Sequence, residues 1–246
     1  MEFRGEVRRA AAEFGMPLTE EQTEQFSLYY SLLLEWNQKM NLTAIIEPRE
    51  VAVKHIVDSL AAFDESLFRE GVRAIDVGAG AGFPGLVLKI WFPSLKLILL
   101  DSLQKRVGFL ETAVSVLGFK DVVCVHGRAE EAGRRKEYRE CFDLAFSRAV
   151  ARLSVLAEYA LPFVRVGGAL LALKGARYAE EMEEAEQAAQ LLGGGKPTAK
   201  VVKLPGLDDG RAIVRIDKKR PTPKAYPRKS GTPEKKPLGG KVQEKV

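Results

Sequence analysis

Cysteine and histidine are scarce in this chain of 246 residues, which contains two of each. The cysteines, Cys124 and Cys141, form no CxxC pair, and the histidines, His55 and His126, lie far apart in the sequence. This usage predicts a reducing compartment and disfavours a disulfide framework or a zinc motif. We therefore expect no metal, and we interpret both cysteines as apolar residues, not as nucleophiles.

Long apolar runs are also missing. No stretch approaches the roughly eighteen uninterrupted apolar residues that indicate a membrane-spanning helix. The first residues, "MEFRGEVRRAAAEFG", are charged throughout and lack the apolar core of a signal peptide. We expect a cytoplasmic protein with no membrane partner.

Acidic residues become rare near the end of the chain. The formal net charge is +5, yet from Lys218 onward ten Lys and Arg residues face only two Glu. The preceding part is therefore mildly acidic. A basic tail on such a body predicts an anionic partner, with nucleic acid the first candidate.

Residues 1–70 have the pattern of helices. Thr19 and Gln22 are spaced as a capping box, and apolar residues follow at helical spacing. Pro48 lies where the first turn of a later helix is expected.

From residue 72 onward, strand-like and helical patterns alternate. The apolar strand-like runs cover 72–77, 95–100, 121–126, 142–147 and 168–173. The helical patterns lie near 84–91, 102–117, 129–137, 152–162 and 178–192. This alternation is typical of an α/β fold, a parallel sheet with helices on both faces. The segments "AKVVKL" and "RAIVRID", joined by "PGLDDG", add an antiparallel terminal hairpin and bring the number of strands to seven.

These patterns divide the chain into three parts. We expect a helical extension over 1–70, an α/β domain over 71–219, and a basic tail rich in Pro and Gly over 220–246. The tail cannot pack a core and is expected to be extended or mobile in isolation.

A glycine-rich loop follows the first strand in "AIDVGAGAGFPGLVLKI" (Ala74–Ile90). It leads into a helix, so it lies where open α/β sheets bind ligands. Starting from Gly80, "GAGFPG" matches the dinucleotide motif G-x-G-x-x-G, and Asp101 follows about 20 residues later. A loop that merely turns the chain is the plainest alternative.

The same loop has a second interpretation, as D-x-G-x-G-x-G formed by Asp76, Gly78, Gly80 and Gly82. This is the usual first motif of S-adenosylmethionine-dependent methyltransferases, in which Asp76 could meet the cationic methionine moiety. Pro84 lacks the N–H that a pyrophosphate would need at this helix start. The terminal hairpin also suits a Rossmann-like class I methyltransferase sheet better than a dehydrogenase sheet, so we favour the methyltransferase.

Two further segments carry candidate cofactor contacts. Asp101 ends the second strand, where a carboxylate can accept both ribose hydroxyls; it or Ser102 could equally cap the next helix. Ala129 and Glu130 follow the third strand and would lie near the adenine. Glu130 could instead be a carboxylate in the first turn of a solvated helix.

Arg148 and Lys174 end the fourth and fifth strands, which point into the same crevice. We assign Arg148 to positioning of cofactor and base, and Lys174 to contact with a base or a phosphate. Each could instead be a surface cation at a strand end.

Several stretches together resemble one known family, the bacterial methyltransferase G of small-subunit (16S) ribosomal RNA. The stretches are "WNQKMNLTAI", "VKHIVDSL", "DVGAGAGFPGLVLKI", "LLDSLQKRVGFL", "SRAVA", "LALKG" and "AYPRKSGTPEKKPL", and they occur in family order. The last residues, "GGKVQEKV", lie beyond the motif and are interpreted as a free end.

The resemblance implies S-adenosylmethionine contacts at Gly78, Phe83, Ala129, Glu130 and Arg148. It implies that the methyl acceptor is N7 of a guanine in 16S ribosomal RNA, free or within the small subunit. N7 carries an in-plane lone pair and can attack a sulfonium methyl directly, so no general base is expected and catalysis should come mainly from positioning.

The helix around His55 carries three polar residues on one face, His55, Asp58 and Ser59. A buried, mutually hydrogen-bonded cluster is the plainer interpretation. The sharper one places this face, with Asn41, on the floor of the RNA crevice.

The cations of the tail are spaced by Pro and Gly, so the segment could lie along phosphates, with an affinity that falls steeply with salt. They are Lys224, Arg228, Lys229, Lys235 and Lys236. A tail that only aids solubility is the alternative. We expect a monomer, and the competing functions are an NAD-type oxidoreductase, a small-molecule methyltransferase and a non-catalytic RNA-binding module.

Overall fold

The computed structural model describes residues 2–239. The helices are α1 (Glu2–Glu13), α2 (Glu20–Asn37), α3 (Pro48–Val51), α4 (Asp58–Leu60), α5 (Gly85–Trp91), α6 (Gln104–Val116), α7 (Ala129–Ala132), α8 (Leu153–Ala160), α9 (Tyr178–Leu191) and α10 (Thr232–Lys235). A π-helical segment, Ala52–Val57, joins α3 to α4, and a 3-10 segment, Leu161–Phe163, follows α8. The strands are β1 (Arg73–Val77), β2 (Lys96–Asp101), β3 (Val122–His126), β4 (Phe142–Arg148), β5 (Val164–Lys174), β6 (Thr198–Leu204) and β7 (Leu207–Asp217).

The seven strands form one sheet in the order β3-β2-β1-β4-β5-β7-β6. The first five strands are parallel, and β7 is antiparallel to both β5 and β6. The predicted seven-stranded α/β sheet with an antiparallel terminal hairpin is therefore confirmed. From β1 the strand order runs outward to β2 and β3 on one side and to β4 and β5 on the other. The carboxyl ends of β1 and β4 therefore border the crevice in which such sheets bind ligands.

The N-terminal helices share a core with one face of the sheet. Phe3 of α1, and Phe26 and Leu33 of α2, belong to the same buried apolar cluster as Leu97 of β2 and Leu144 of β4. The capping box at the start of α2 is confirmed, because the Thr19 side chain accepts from Gln22 N–H and the Gln22 side chain accepts from Thr19 N–H. A second cluster, with α8 and α9, covers the opposite face.

Three bounds differ by four residues or more from those predicted. Strand β5 begins at Val164, not at residue 168. Helix α7 ends at Ala132, not near residue 137, and a run of turns follows. Strand β7 begins at Leu207, inside the segment predicted as a link, so only a tight turn separates it from β6.

The C-terminal segment 220–239, which was expected to be extended or mobile in isolation, packs against the body of the protein. Residues 240–246, which include most of the predicted free end, lie outside the described residues. Arg228 forms a bidentate ion pair with Glu158 of α8, a carboxylate with 0 % of its surface exposed. Arg139 donates hydrogen bonds to the carbonyl groups of Thr222, Pro223 and Tyr226. Burying a carboxylate lowers stability unless a cation pairs with it, and Arg228 of the C-terminal segment supplies this cation for Glu158.

Within residues 2–239, no helix is long and apolar enough to cross a membrane.

Candidate functional site

A cavity of about 330 Å³ opens over the carboxyl ends of β1, β2 and β4. We call it the loop cavity, because the glycine-rich loop forms one wall. It is lined by Leu42, Thr43, His55, Gly78, Ala79, Gly80, Ala81, Phe83, Asp101, Ser102, Arg106, Arg148, Ala149 and Val150.

A second cavity of about 530 Å³ adjoins the first, and we call it the basic cavity. It is lined by Ile45, Lys54, His55, Asp58, Arg148, Ala149, Val150, Ala151, Arg152, Leu173, Lys174, Gly175, Arg177, Glu181 and Arg211. Six basic and two acidic side chains lie among these residues, so the cavity favours an anionic occupant. The two cavities share four residues: His55, Arg148, Ala149 and Val150.

The glycine loop is packed tightly against its surroundings. Gly78 has φ +74°, and a Cβ atom there would lie 2.5 Å from Val150 Cγ2. A Cβ atom on Gly82 would lie 2.5 Å from Leu86 Cδ1. At Gly80, by contrast, the nearest atom would be 3.9 Å away. Gly78 and Gly82 therefore let the loop fold onto the protein, while Gly80 borders open space in the cavity.

Asp76, a predicted cofactor contact, is not among the residues that line the loop cavity. Its side chain is fully buried beneath the loop, where Oδ2 accepts a hydrogen bond of 2.8 Å from Gly85 N–H at the start of α5. Oδ1 has no hydrogen-bond partner within the described range 2–239. Burial raises the pKa of this carboxyl to about 7. Asp76 thus acts as a support for the loop.

Asp101 lines the cavity and combines the two roles that the sequence left open. Its Oδ1 accepts from Leu103 N–H at the start of α6, and its Oδ2 accepts from Gly80 N–H of the loop. Each carboxylate oxygen can accept a second hydrogen bond, so capacity for ligand hydroxyls remains. Ser102 also lines the cavity. Arg106 also lines the cavity and was missed by sequence reasoning, although its place in the first turn of α6 suits a residue at the cavity mouth.

Ala129 and Glu130 begin α7 and are not among the residues that line the loop cavity. Glu130 is buried, and its Oε1 accepts a hydrogen bond of 2.8 Å from Gly231 N–H of the tail. Its carboxylate therefore joins α7 to the C-terminal segment, and the interpretation as a solvated carboxylate in a first turn is wrong.

His55, Phe83 and Arg148 form a stack on the wall between the cavities. The rings of His55 and Phe83 lie 4.6 Å apart, and the Arg148 guanidinium lies 4.8 Å from the Phe83 ring centre. His55 Nε2 lies 2.9 Å from Thr43 Oγ1. Burial, followed by the positive charge of Arg148, lowers the pKa of His55 to about 3. The imidazole is therefore neutral at physiological pH.

Asp58 holds two arginines at once. Its Oδ2 lies 3.1 Å from Arg148 Nη1, and its Oδ1 lies 3.0 Å from Arg211 Nη1. His55, Asp58 and Ser59 are buried as predicted, but the predicted mutual hydrogen bonding is only partly confirmed. Ser59 Oγ donates to the carbonyl group of His55, whereas the Asp58 carboxylate accepts from the two arginines. The π-helical turn that carries His55 has no signal in the sequence; such turns are common at functional sites.

Lys174 lies at the wall of the basic cavity, but its charge is compensated. Its Nζ donates to Glu181 Oε2 at 2.7 Å and to the carbonyl group of Ala151 at 2.6 Å. Ala149, which lines both cavities, has φ +55°, a strained conformation for a residue other than glycine.

The remaining predicted residues lie away from the cavities. Asn41 is exposed and lines neither of them, although its neighbours Leu42 and Thr43 do. Four tail cations, Lys224, Lys229, Lys235 and Lys236, are exposed. The fifth, Arg228, is half-buried and forms an ion pair with Glu158, and its predicted contact with RNA stays a prediction.

The cysteines are half-buried, and burial raises the pKa of the Cys124 thiol to about 11, which keeps it protonated. Among residues 2–239, no three His, Cys, Asp or Glu side chains are grouped so as to hold a metal ion.

Comparison with known protein families yields one assignment. Residues 22–207 match the family model GidB, described as rRNA small subunit methyltransferase G. The chain is 52 % identical over 230 residues to the "Ribosomal RNA small subunit methyltransferase G" of Exiguobacterium sibiricum, covering 94 % of this chain and 97 % of that protein. It is 48 % identical over 238 residues to the protein of the same name from Alkaliphilus metalliredigens, covering 97 % and 100 %.

Solved structures share the fold at low sequence identity. An S-adenosylmethionine-dependent O-methyltransferase from Thermotoga maritima superposes with a TM-score of 0.52 at 16 % identity, covering 78 % of this chain and 73 % of that one. A predicted O-methyltransferase from Agrobacterium tumefaciens gives a TM-score of 0.51 at 20 % identity, covering 65 % and 78 %.

Proposed function

The chain belongs to the rRNA small subunit methyltransferase G family, and from this premise we propose that it transfers a methyl group from S-adenosylmethionine to N7 of a guanine in 16S ribosomal RNA. The observation that carries the proposal is the pair of adjoining cavities with a shared wall at Arg148–Val150. One cavity has the features of a nucleotide site and the other is basic.

The loop cavity suits S-adenosylmethionine. Asp101 keeps acceptor capacity for the ribose hydroxyls, and Gly80 leaves space at the loop. Arg148 supplies a cation for the methionine carboxylate. When bound, the cofactor supplies an electrophilic methyl group attached to a sulfonium. The family assignment thus decides between the two interpretations of the glycine loop in favour of the methyltransferase.

The basic cavity suits the methyl acceptor. An RNA backbone is anionic, and guanine presents O6 as an acceptor beside N7. Lys54, Arg152 and Arg177 line the cavity together with Arg148 and Arg211. Since a base within a helix cannot reach such a cavity, we expect the target guanine to lie in a loop or to be flipped out.

The residues of the shared wall support direct transfer without a general base. His55 is neutral and hydrogen-bonded to Thr43, and Arg148 is held by Asp58. Neither residue needs to remove a proton, because N7 of guanine carries none at neutral pH. The protein's part is to align N7 with the methyl group and to exclude water, and alignment of this kind can lower a barrier by roughly 7–11 kcal/mol.

We further propose that the three predicted parts divide the work. Residues 71–219 would form most of both cavities, residues within 1–70 would close their outer edge through Thr43 and His55, and the exposed lysines of 220–246 would follow RNA phosphates. The protein would act as a monomer in the cytoplasm, where small ribosomal subunits assemble.

Methylation itself is tested with labelled S-adenosylmethionine. The protein is incubated separately with naked 16S rRNA and with small subunits from cells lacking this activity, and the modified base is mapped. Label at N7 of one guanine is expected. Label on another atom, or none with either substrate, would contradict the proposal.

The tail is tested by replacing Lys224, Lys229, Lys235 and Lys236 with Gln together. Each lysine that contacts a phosphate should reduce the slope of log affinity against log salt by about 0.7–0.9. Cofactor affinity, measured by calorimetry, should be unchanged. An unaltered salt slope would assign the lysines to solubility alone.

A further inference from the structure

The basic cavity contains an arginine that has so far been given no role of its own toward the RNA, Arg211 of β7. Its side chain lines this cavity and does not line the loop cavity. It lies opposite Val202 of β6, and the next residue, Ala212, pairs with Lys174 at the end of β5. Sheet pairing therefore brings Arg211 to the same edge of the sheet as Lys174.

The arginine is held in place by two carboxylates. Its Nη1 donates to Asp58 Oδ1 at 3.0 Å, and its Nε donates to Asp209 Oδ2 at 2.7 Å. Nη2 has no hydrogen-bond partner among residues 2–239. The guanidinium is thus fixed in the cavity wall with donor capacity to spare, an arrangement that suits recognition of an oxygen acceptor.

Arg211 could instead have a purely structural role as the partner of Asp58, but that role does not account for its position in the cavity wall. Asp58 is already paired with Arg148 at 3.1 Å, and one cation is enough to compensate a buried carboxylate. Arg211 has its own carboxylate partner in Asp209, so Asp58 is not its only counter-charge. The Arg211 side chain is also 25 % exposed, whereas Asp58 is 6 % exposed, so the arginine is the member that an incoming ligand can reach.

We propose that Arg211 binds an oxygen of the target nucleotide, and that Asp58 sets it beside Arg148 so that one carboxylate orients both the residue facing the cofactor and the residue facing the RNA. This inference rests on the proposed function. The shared chemistry is a hydrogen-bond acceptor, either guanine O6 or a phosphate oxygen beside the target. An Arg at O6 would also favour guanine over adenine, whose N6 amino group is a donor.

The test compares Arg211→Ala with Arg215→Ala, a matched control on the same strand. Arg215 is also half-buried and paired with Asp217, but it lines neither cavity. RNA affinity by filter binding and single-turnover methyl transfer are measured for both variants and for Arg211→Lys. Arg211→Ala should weaken RNA binding about ten- to hundredfold, the effect of losing a charge-assisted hydrogen bond. Cofactor affinity should stay within about twofold.

Two modified RNAs distinguish the sources of the oxygen. One carries 2-aminopurine at the target, which keeps N7 and lacks O6; the other carries methylphosphonates beside the target. The difference in affinity between the wild type and Arg211→Ala should disappear on the first RNA if Arg211 binds O6, and on the second if it binds phosphate.

Three results would overturn the proposal. The first is that wild type and Arg211→Ala still differ in affinity for both modified RNAs. The others are that Arg211→Ala loses no more RNA affinity than Arg215→Ala, or that it loses cofactor affinity to the same extent as RNA affinity. If Arg211→Ala fails to fold, Arg211→Lys and Arg211→Gln carry the same comparison. RNA binding is scored without turnover, so a wild-type protein that methylates no guanine would refute the proposed function while leaving the result for Arg211 readable.

Discussion

Gly78 and Val150 approach each other so closely that a Cβ atom on Gly78 would lie 2.5 Å from Val150 Cγ2. The first residue belongs to the glycine loop and the second follows β4, so the contact joins the two walls of the loop cavity. The shape of this cavity therefore depends on the absence of a side chain at residue 78.

Gly78→Ala should lower cofactor affinity at least tenfold, because the methyl group would force the two walls apart in addition to straining a residue at φ +74°. Calorimetry measures the loss. Gly118→Ala is the matched control, since Gly118 has φ +70° but no atom within 4 Å of the added Cβ. Gly78→Ala combined with Val150→Ala should recover part of the affinity; no recovery would show that the contact is not the cause.

Asp76→Asn should change how stability depends on pH. The folded pKa of about 7 lies above the ordinary 3.8, so the folded state resists ionisation and the free energy of unfolding falls as pH rises from about 4 to 7. Asn keeps an acceptor for Gly85 N–H and carries no charge. The variant should gain stability relative to the wild type, on the order of 4 kcal/mol across this window. Urea unfolding at pH 4, 5.5 and 7.5 checks it, and parallel curves would refute the role of Asp76.

His55→Gln should have the opposite pH signature. The folded pKa of about 3 lies below the ordinary 6.5, so the wild type loses stability as pH falls from about 6.5 towards 3, and the variant should not share this loss. Imidazole NMR signals of His55 should show no titration between pH 5 and 8. A midpoint near 6.5 would show that the ring is solvated and available as a base.

Arg228→Ala should lower the free energy of unfolding by about 3 kcal/mol, because it leaves the buried Glu158 carboxylate without its cation. Lys229→Ala, at the exposed neighbouring residue, should cost less than about 0.5 kcal/mol. Adding Glu158→Gln to Arg228→Ala should restore part of the loss. Chemical denaturation measures all three, and equal stability of Arg228→Ala and Lys229→Ala would contradict the assignment.

Local patterns in the sequence were sufficient to predict much of the fold. The alternation of strands and helices after residue 72, the capping box at Thr19 and the hairpin of β6 and β7 all depend on neighbouring residues, and each was confirmed. Gly78, Gly80, Asp101 and Arg148 were placed at one cavity because parallel strands present their carboxyl ends together.

The misplaced residues depend on partners that are distant in the sequence. Asp76 accepts a hydrogen bond from the start of α5 and does not line the cavity, and the glycine motif alone does not indicate which way its side chain points. The tail is held through Glu158 of α8, and nothing in the sequence around Glu158 indicates that its carboxylate is buried and paired with Arg228. Arg211 was overlooked because only the strand order brings β7 beside β5.

The stretch Arg148–Val150 lines both cavities and separates one from the other. If the cofactor and the RNA fill these cavities as proposed and one of them shifts this stretch, the affinity for the other changes too, and each ligand must then change the binding constant of the other by the same factor. A ternary complex would then form with cooperativity of a single sign, whichever ligand arrives first.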